Sequence, residues 1–78
     1  MFSLAGRKAL VTGAGSPGGI GFAAARALRE LGAELFITST TDRIHQRADE
    51  IGAHGFVANL TLESEVAKIA VEIGRAHV

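Results

Sequence analysis

The residues of this 78-residue chain whose types and spacing could do chemistry are the small residues between Gly13 and Gly21. The segment reads Gly-Ala-Gly-Ser-Pro-Gly-Gly-Ile-Gly and follows the apolar run Ala9-Leu10-Val11. Glycine permits a tight turn and lets an anionic group reach backbone N–H groups without meeting a Cβ atom. A helix that begins directly after the turn offers its free N–H groups and the positive end of its dipole to a phosphate. The segment therefore predicts a phosphate-binding turn.

The glycines of this segment are expected to have different roles. Gly13 makes the sharp turn, Gly19 lets a pyrophosphate approach the backbone, and Gly21 lets the helix pack closely on the strand. The rest of the predicted phosphate-binding segment consists of Gly15, Ser16, Gly18 and Ile20. A P-loop is excluded because no Lys-Ser or Lys-Thr pair follows the glycines. The alternative is that the glycines only form a turn and a helix cap.

Strand and helix patterns alternate along the chain. Strands are predicted at 8–12, 34–38 and 55–58, and helices at 20–31, at 43–51 and from after Thr61 to about Gly74. Alternating strands and helices imply right-handed crossovers and a parallel sheet, so the fold class is α/β. The first helix is expected to bury one apolar stripe. That stripe consists of Ile20, Ala23, Ala24, Ala27, Leu28 and Leu31.

The composition excludes several classes of function. Eight Lys plus Arg balance eight Asp plus Glu, so the chain has no long-range attraction for nucleic acid or anionic lipid. The absence of cysteine excludes disulfides, thiolate metal sites and a catalytic thiol. The three histidines have no ligand spacing, so no metal site is predicted. No apolar run approaches the roughly 18 to 20 residues of a membrane span. We expect no nucleic-acid or membrane partner and a cytoplasmic location.

Two motifs resemble the start of the short-chain dehydrogenases/reductases. They are Gly-Arg-Lys-Ala-Leu-Val-Thr-Gly at 6–13 and Gly-Ile-Gly at 19–21. In that family the Thr-Gly and Gly-Ile-Gly pattern binds the pyrophosphate of NAD or NADP. The resemblance implies a Rossmann-type doubly wound parallel sheet with strand order 3-2-1, of which this chain would form the first β-α-β-α-β-α portion. Residues 1–78 would then be the N-terminal part of a single NAD(P)-binding domain, about the first third of the family's length.

The sequence departs from the family pattern in three places. Five residues instead of the usual three separate Gly13 from the Gly-Ile-Gly motif, which indicates a lengthened loop and resembles the enoyl-[acyl-carrier-protein] reductase branch. Asn59 stands where the family often has Asp beside the adenine, and with Leu60 it forms the predicted adenine contact. Asparagine keeps an acceptor and adds a donor. The family's catalytic Asn, Ser and Tyr-x-x-x-Lys would follow residue 78, and the chain contains no tyrosine, so no catalytic residue is assigned.

The residues after the second predicted strand bear on the choice of cofactor. An acidic residue there would bind the ribose 2′-hydroxyl of NAD and repel a 2′-phosphate. The chain instead has Ser39 and Thr40, with Arg43 close in sequence, and these donors favour NADP over NAD. Asp42 is the counter-argument, although its position before a helix is more simply that of an N-cap.

The resemblance implies an NAD(P)-dependent oxidoreductase that moves a hydride between the nicotinamide and a carbonyl or alcohol. A 3-oxoacyl-[acyl-carrier-protein] reductase-like activity is expected, with a small-molecule or acyl-carrier substrate and a homo-oligomer when full length. An enoyl-[acyl-carrier-protein] reductase-like enzyme and a non-catalytic NADP-sensing Rossmann protein are the alternatives. The 78-residue chain itself is expected to be a fragment that binds the cofactor, is poorly stable alone and turns over no substrate.

Overall fold

The computed structural model describes residues 3–15 and 18–75. Within these ranges the chain forms a three-stranded parallel sheet with strand order β1-β2-β3. The elements, in chain order, are β1 (Lys8–Thr12), α1 (Ile20–Glu30), β2 (Glu34–Ser39), α2 (Arg43–Ile51), β3 (His54–Val57) and α3 (Glu63–Arg75). The α/β class, the parallel pairing and the strand order predicted from the sequence are confirmed.

The register of the sheet brings the carboxyl ends of its strands to one edge. Lys8 pairs with Glu34 and Thr12 with Thr38 between β1 and β2. Ser39 pairs with Val57 at the end of β3. Because all three strands run in the same direction, the segments that follow them emerge side by side. Residues after each strand can therefore contribute to one site.

One face of the sheet packs against α1 and α2. Leu35 and Ile37 of β2 are buried there, at 1% and 0% exposure, together with Ala25 of α1 and with Ile44 and Ala48 of α2. Alternate residues of a strand point to opposite faces, which explains why Leu35 and Ile37 share this core. This is the main hydrophobic core of the described chain.

The opposite face of the sheet is covered by α3, which packs on it less closely than α1 and α2 pack on theirs. Phe36 is buried there and stacks on the ring of His54, with ring centroids 4.7 Å apart. Ile69 is the buried residue of α3. Lys8 Nζ donates to the carbonyl of Ile73, 2.6 Å away, and so connects the last turn of α3 to the start of β1. Cavities of about 530 and 170 Å³ adjoin α3.

Helix α1 does not bury the stripe predicted for it. Ile20 is 90% exposed, whereas Phe22 and Ala25 are buried. The exposed positions of the predicted stripe also include Ala23, Ala24 and Ala27, and the partly buried ones are Leu28 and Leu31. Phe22, Ala25 and Leu28 follow the helical period equally well. The many alanines of this helix suit either face, so the pattern did not determine which stripe faces the sheet.

Other element boundaries differ from prediction by one or two residues. β2 continues to Ser39, and β3 begins at His54 and ends at Val57. α3 includes Gly74 and extends to Arg75, one residue beyond the predicted end at about Gly74. No helix within residues 3–15 and 18–75 is long and apolar enough to cross a membrane.

Removing one methyl group from the α1–α2 core tests this packing. Ile44 is fully buried, so Ile44→Val should lower the free energy of unfolding by about 0.5–1.5 kcal/mol. The measurement is urea unfolding followed by circular dichroism, in a stabilising osmolyte such as trimethylamine N-oxide. Val71→Ala on α3, where Val71 is 55% exposed, is the control and should change that free energy by less than about 0.5 kcal/mol. Equal losses in the two variants would contradict the assigned core.

Candidate functional site

A cavity of about 500 Å³ lies at the carboxyl ends of the three strands. It is bounded by the residues that end β1 and β2 and by the segment that follows β3. Its lining consists of Thr12, Gly13, Gly15, Thr38, Ser39, Thr40, Thr41, Arg43, Ala58, Asn59, Leu60 and Thr61. Seven of the residues predicted from the sequence are therefore brought together here. They are Gly13, Gly15, Ser39, Thr40, Arg43, Asn59 and Leu60.

The turn after β1 has the geometry that was predicted for its glycines. Gly13 has φ +68°, in the left-handed region that favours glycine. A Cβ atom at Gly21 would lie 2.8 Å from the carbonyl oxygen of Gly13 and 3.2 Å from that of Thr12. The first turn of α1 therefore rests directly on the backbone of the turn. The predicted turn at Gly13 and close packing at Gly21 are both confirmed.

The amino end of α1 follows the glycine turn and has no side-chain cap for its backbone donors. Gly19 is the N-cap, with extended backbone geometry and no side-chain capping hydrogen bond, and the first turn of α1 has no acidic residue. Such an end is suited to an anion because its N–H groups and dipole are uncompensated. Gly18, Gly19, Ile20 and Gly21 lie at this helix start but do not line the cavity. Ser16 is outside the described residues.

Backbone hydrogen bonds connect the three segments around the cavity. The N–H of Ala14 donates to the carbonyl of Thr38 (3.0 Å), and the N–H of Ala58 donates to the carbonyl of Ser39 (2.9 Å). A Cβ atom at Gly15 would lie 2.9 Å from the Oγ of Ser39, so the glycine turn also touches the end of β2. The cavity is thus framed by main chain that these hydrogen bonds hold in place.

The Ser39 hydroxyl is used within its own turn. It donates to the carbonyl of Thr41 (3.0 Å), and it accepts from the N–H of Thr41 (3.1 Å). A hydroxyl has one proton to donate, so this bond takes the donor that sequence reasoning assigned to a phosphate. The side chains of Thr40 and Arg43 also line the cavity, and the described residues give neither a hydrogen-bond partner. These two remain the free donors of the segment.

The side chain of Asn59 is also engaged by its neighbours. Its Oδ1 accepts from the N–H of Thr61 (3.0 Å) and from the Thr61 hydroxyl (2.6 Å). Its backbone N–H donates to the carboxylate of Glu65, 3.3 Å from both oxygens. Since a carbonyl oxygen has two lone pairs, the acceptor expected to contact the adenine is already used. Asn59 can offer only its amide NH₂ group to a ligand.

The lining of the cavity contains one charged side chain, and the Glu65 carboxylate binds the backbone N–H of Asn59 without itself lining the cavity. Arg43 is the only charged residue of the lining, and none of the described lining residues is a carboxylate. Asp42 takes the N-cap position of α2, but its side chain makes no capping hydrogen bond and does not line the cavity. The site is therefore suited to an anionic ligand.

Five lining residues were not among the site residues assigned from the sequence. They are Thr12, Thr38, Thr41, Ala58 and Thr61. A usable signal was present, because Thr12 ends β1, Thr38 is the residue before the end of β2, and Thr61 follows β3 at the same edge. Residues that follow strand ends in an open α/β sheet are the expected ligand neighbours.

The close contact at Gly21 predicts a sharp effect of adding one methyl group. Gly21→Ala would force the new Cβ against the Gly13 carbonyl, so it should lower the free energy of unfolding by about 1–3 kcal/mol. Gly74→Ala is the matched control, because Gly74 lies in α3 with open space around it. That variant should be neutral or more stable by up to about 1 kcal/mol. Urea unfolding of both variants is the measurement, and a Gly21→Ala variant as stable as wild type would contradict the contact.

Solved structures similar to this chain have the same arrangement of elements. A candidate NAD(P)-dependent gluconate 5-dehydrogenase from Beutenbergia cavernae, with NADP bound at low occupancy, is 43% identical over 92% of this chain, with a TM-score of 0.78. RhlG from Pseudomonas aeruginosa, in an active-site complex with NADP, is 34% identical over 96% of this chain, with a TM-score of 0.83. A short-chain type dehydrogenase/reductase from Mycobacterium marinum is 32% identical over 87% of it, with a TM-score of 0.78.

This chain spans 30%, 32% and 29% of those three proteins, respectively. No protein-family model matches the chain, and the comparison with curated proteins found no match. The similarities to solved structures confirm the resemblance found in the sequence. The chain belongs to the short-chain dehydrogenase/reductase family and corresponds to about a third of the length of these members.

Proposed function

We propose that this chain is the NADP-binding part of an NAD(P)-dependent oxidoreductase. The observation that carries the proposal is the cavity at the carboxyl edge of the sheet, bounded by the glycine turn and containing Arg43 without any carboxylate among its described lining residues. Two of the similar solved structures are described with NADP. In this proposal the diphosphate lies at the glycine turn and the start of α1, and the 2′-phosphate lies beside Thr40 and Arg43.

The chain's own residues fit such a ligand. The close contacts at Gly15 and Gly21 leave no room for side chains at these two positions. The uncapped N–H groups of α1 can bind the diphosphate, and Arg43 can pair with the 2′-phosphate by charge-assisted hydrogen bonds. When bound, the nicotinamide would supply the hydride chemistry. The residues described here hold and orient the cofactor.

Replacing Arg43 tests the preference for a 2′-phosphate. Arg43→Gln should weaken binding of adenosine 2′,5′-bisphosphate about tenfold, because a hydrogen bond to a charged group contributes about 1.5–3 kcal/mol. Binding of 5′-AMP, which lacks the 2′-phosphate, should change less than about twofold. Ligand-detected NMR titration at low ionic strength is the measurement, since salt screens exposed charges.

Arg7→Gln is the matched control for this experiment. Arg7 is exposed and lies before β1, at the amino edge of the sheet, and the change removes the same charge. It should leave both affinities unchanged. Equal affinities of the Arg43→Gln and Arg7→Gln variants for the bisphosphate would overturn the NADP assignment. A wild-type chain that bound neither nucleotide would overturn the whole site.

We propose two candidate classes of substrate for the complete enzyme. The resemblance in the sequence favours a 3-oxoacyl-[acyl-carrier-protein] reductase-like activity. The 43% identical chain named as a gluconate 5-dehydrogenase favours oxidation of a sugar acid. Assays of a polypeptide that contains this chain and a catalytic Tyr-x-x-x-Lys segment would distinguish them. NADPH-dependent reduction of a 3-oxoacyl thioester supports the first, and NADP-dependent oxidation of gluconate supports the second.

A further inference from the structure

Arg47 of α2 is a buried charged residue that the proposed function does not use. The residue is 6% exposed. Its Nη2 donates to the carboxylate of Glu50, 2.9 Å away, while its Nε has no hydrogen-bond partner. The guanidinium carbon lies 5.8 Å from the centre of the Phe22 ring on α1. Arg47 therefore joins α2 to α1 through an aromatic ring.

When only its hydrogen bonds are considered, burying Arg47 costs free energy of folding. An unpaired donor in the interior costs free energy, and a well-packed apolar side chain of similar size would avoid that cost. Its ionic partner Glu50 is itself 44% exposed, which weakens the attraction. The contact that an apolar residue could not reproduce is the attraction between the guanidinium and the Phe22 ring. That directional contact is what an arginine adds at this position.

The Arg47–Phe22 contact lies close in sequence to both parts of the proposed binding site. Phe22 is the third residue of α1 and follows Gly21, whose backbone rests on the Gly13 carbonyl. Arg47 lies four residues, about one helical turn, after Arg43, which lines the cavity. The Arg47–Phe22 contact therefore connects the start of α1, beside the glycine turn, to the first turns of α2.

We propose that Arg47 is a positioning residue that sets the spacing between two phosphate subsites, one at the glycine turn and one at Arg43. The inference rests on the proposed NADP site. A ligand that carries both phosphates has a fixed distance between them, so its second contact forms only when the two helix starts are correctly spaced. A ligand with one phosphate occupies one subsite, so its affinity does not depend on that spacing.

The test compares ligands that span one subsite or both. Arg47→Met keeps a long side chain in the interface and removes the guanidinium. It should weaken binding of adenosine 2′,5′-bisphosphate about fivefold, the loss expected for one such ring contact. Binding of 5′-AMP and of 2′-AMP should change less than about twofold. Ligand-detected NMR titrations measure all three affinities on the folded chain.

The control is a second arginine on the same ring. Arg26 lies 5.1 Å from the Phe22 ring centre, but it is on α1 itself and so cannot set the spacing between helices. Arg26→Met should leave all three affinities unchanged. Phe22→Leu is the second variant, since it removes the ring and keeps the site apolar, and it should reproduce the selective loss for the bisphosphate. If the Arg47→Met variant does not fold, the result for Phe22→Leu decides whether the positioning role stands.

Each outcome has a definite meaning. A selective loss for the bisphosphate supports the positioning role. Unchanged affinities, or equal losses for all three ligands, overturn it and leave Arg47 as a packing residue, while the NADP site stands. A wild-type chain that binds none of the three ligands overturns the proposed function, and the positioning role fails with it.

Discussion

Helix α1 can lie where it does only because Gly21 has no side chain. Its backbone meets the carbonyls of Thr12 and Gly13 at distances that a Cβ atom could not tolerate. This approach brings the helix start next to the turn after β1, and the bond from Ala14 to Thr38 holds that turn against the end of β2. The glycine turn and the start of α1 are therefore held side by side by one contact between backbones. A larger residue would have to move α1 away from the sheet edge where the ligand is proposed to bind.

Half of the polar side chains that line the cavity are hydrogen-bonded within their own turns. The Ser39 hydroxyl and the Asn59 carbonyl hold the turns that follow β2 and β3, at Thr41 and Thr61. These bonds preorganise the frame before any ligand arrives, which lowers the entropy lost on binding. They also reduce the number of groups free to contact a ligand. Specificity then depends on the few donors that remain, of which Arg43 has the only charge in the lining.

The strand order and the turn could be predicted from three patterns. Apolar runs indicate buried strands, clustered glycines indicate a tight turn, and strands that alternate with helices indicate a parallel sheet. The buried face of α1 could not, since its alanines are compatible with both stripes and Phe22 is covered only once α2 is in place. The end of α3 was predicted to within one residue, and the helix includes Gly74 because an isolated glycine destabilises a helix without stopping it. The engagement of Ser39 and Asn59 depends on short-range turns whose geometry residue types alone do not specify. The cofactor-binding roles themselves stay predictions.

The looser fit of α3 has a consequence for local opening of the chain. This helix buries Ile69, is connected to β1 through Lys8, and adjoins two cavities, whereas α1 and α2 share a continuous core with β2. Segments with fewer buried contacts detach at lower free energy than the core. We therefore expect the amide protons of α3 to exchange with solvent through an opening that leaves the β1–β2 pairing intact. The face of the sheet that α3 covers would then be exposed to solvent more often than the face that α1 and α2 cover.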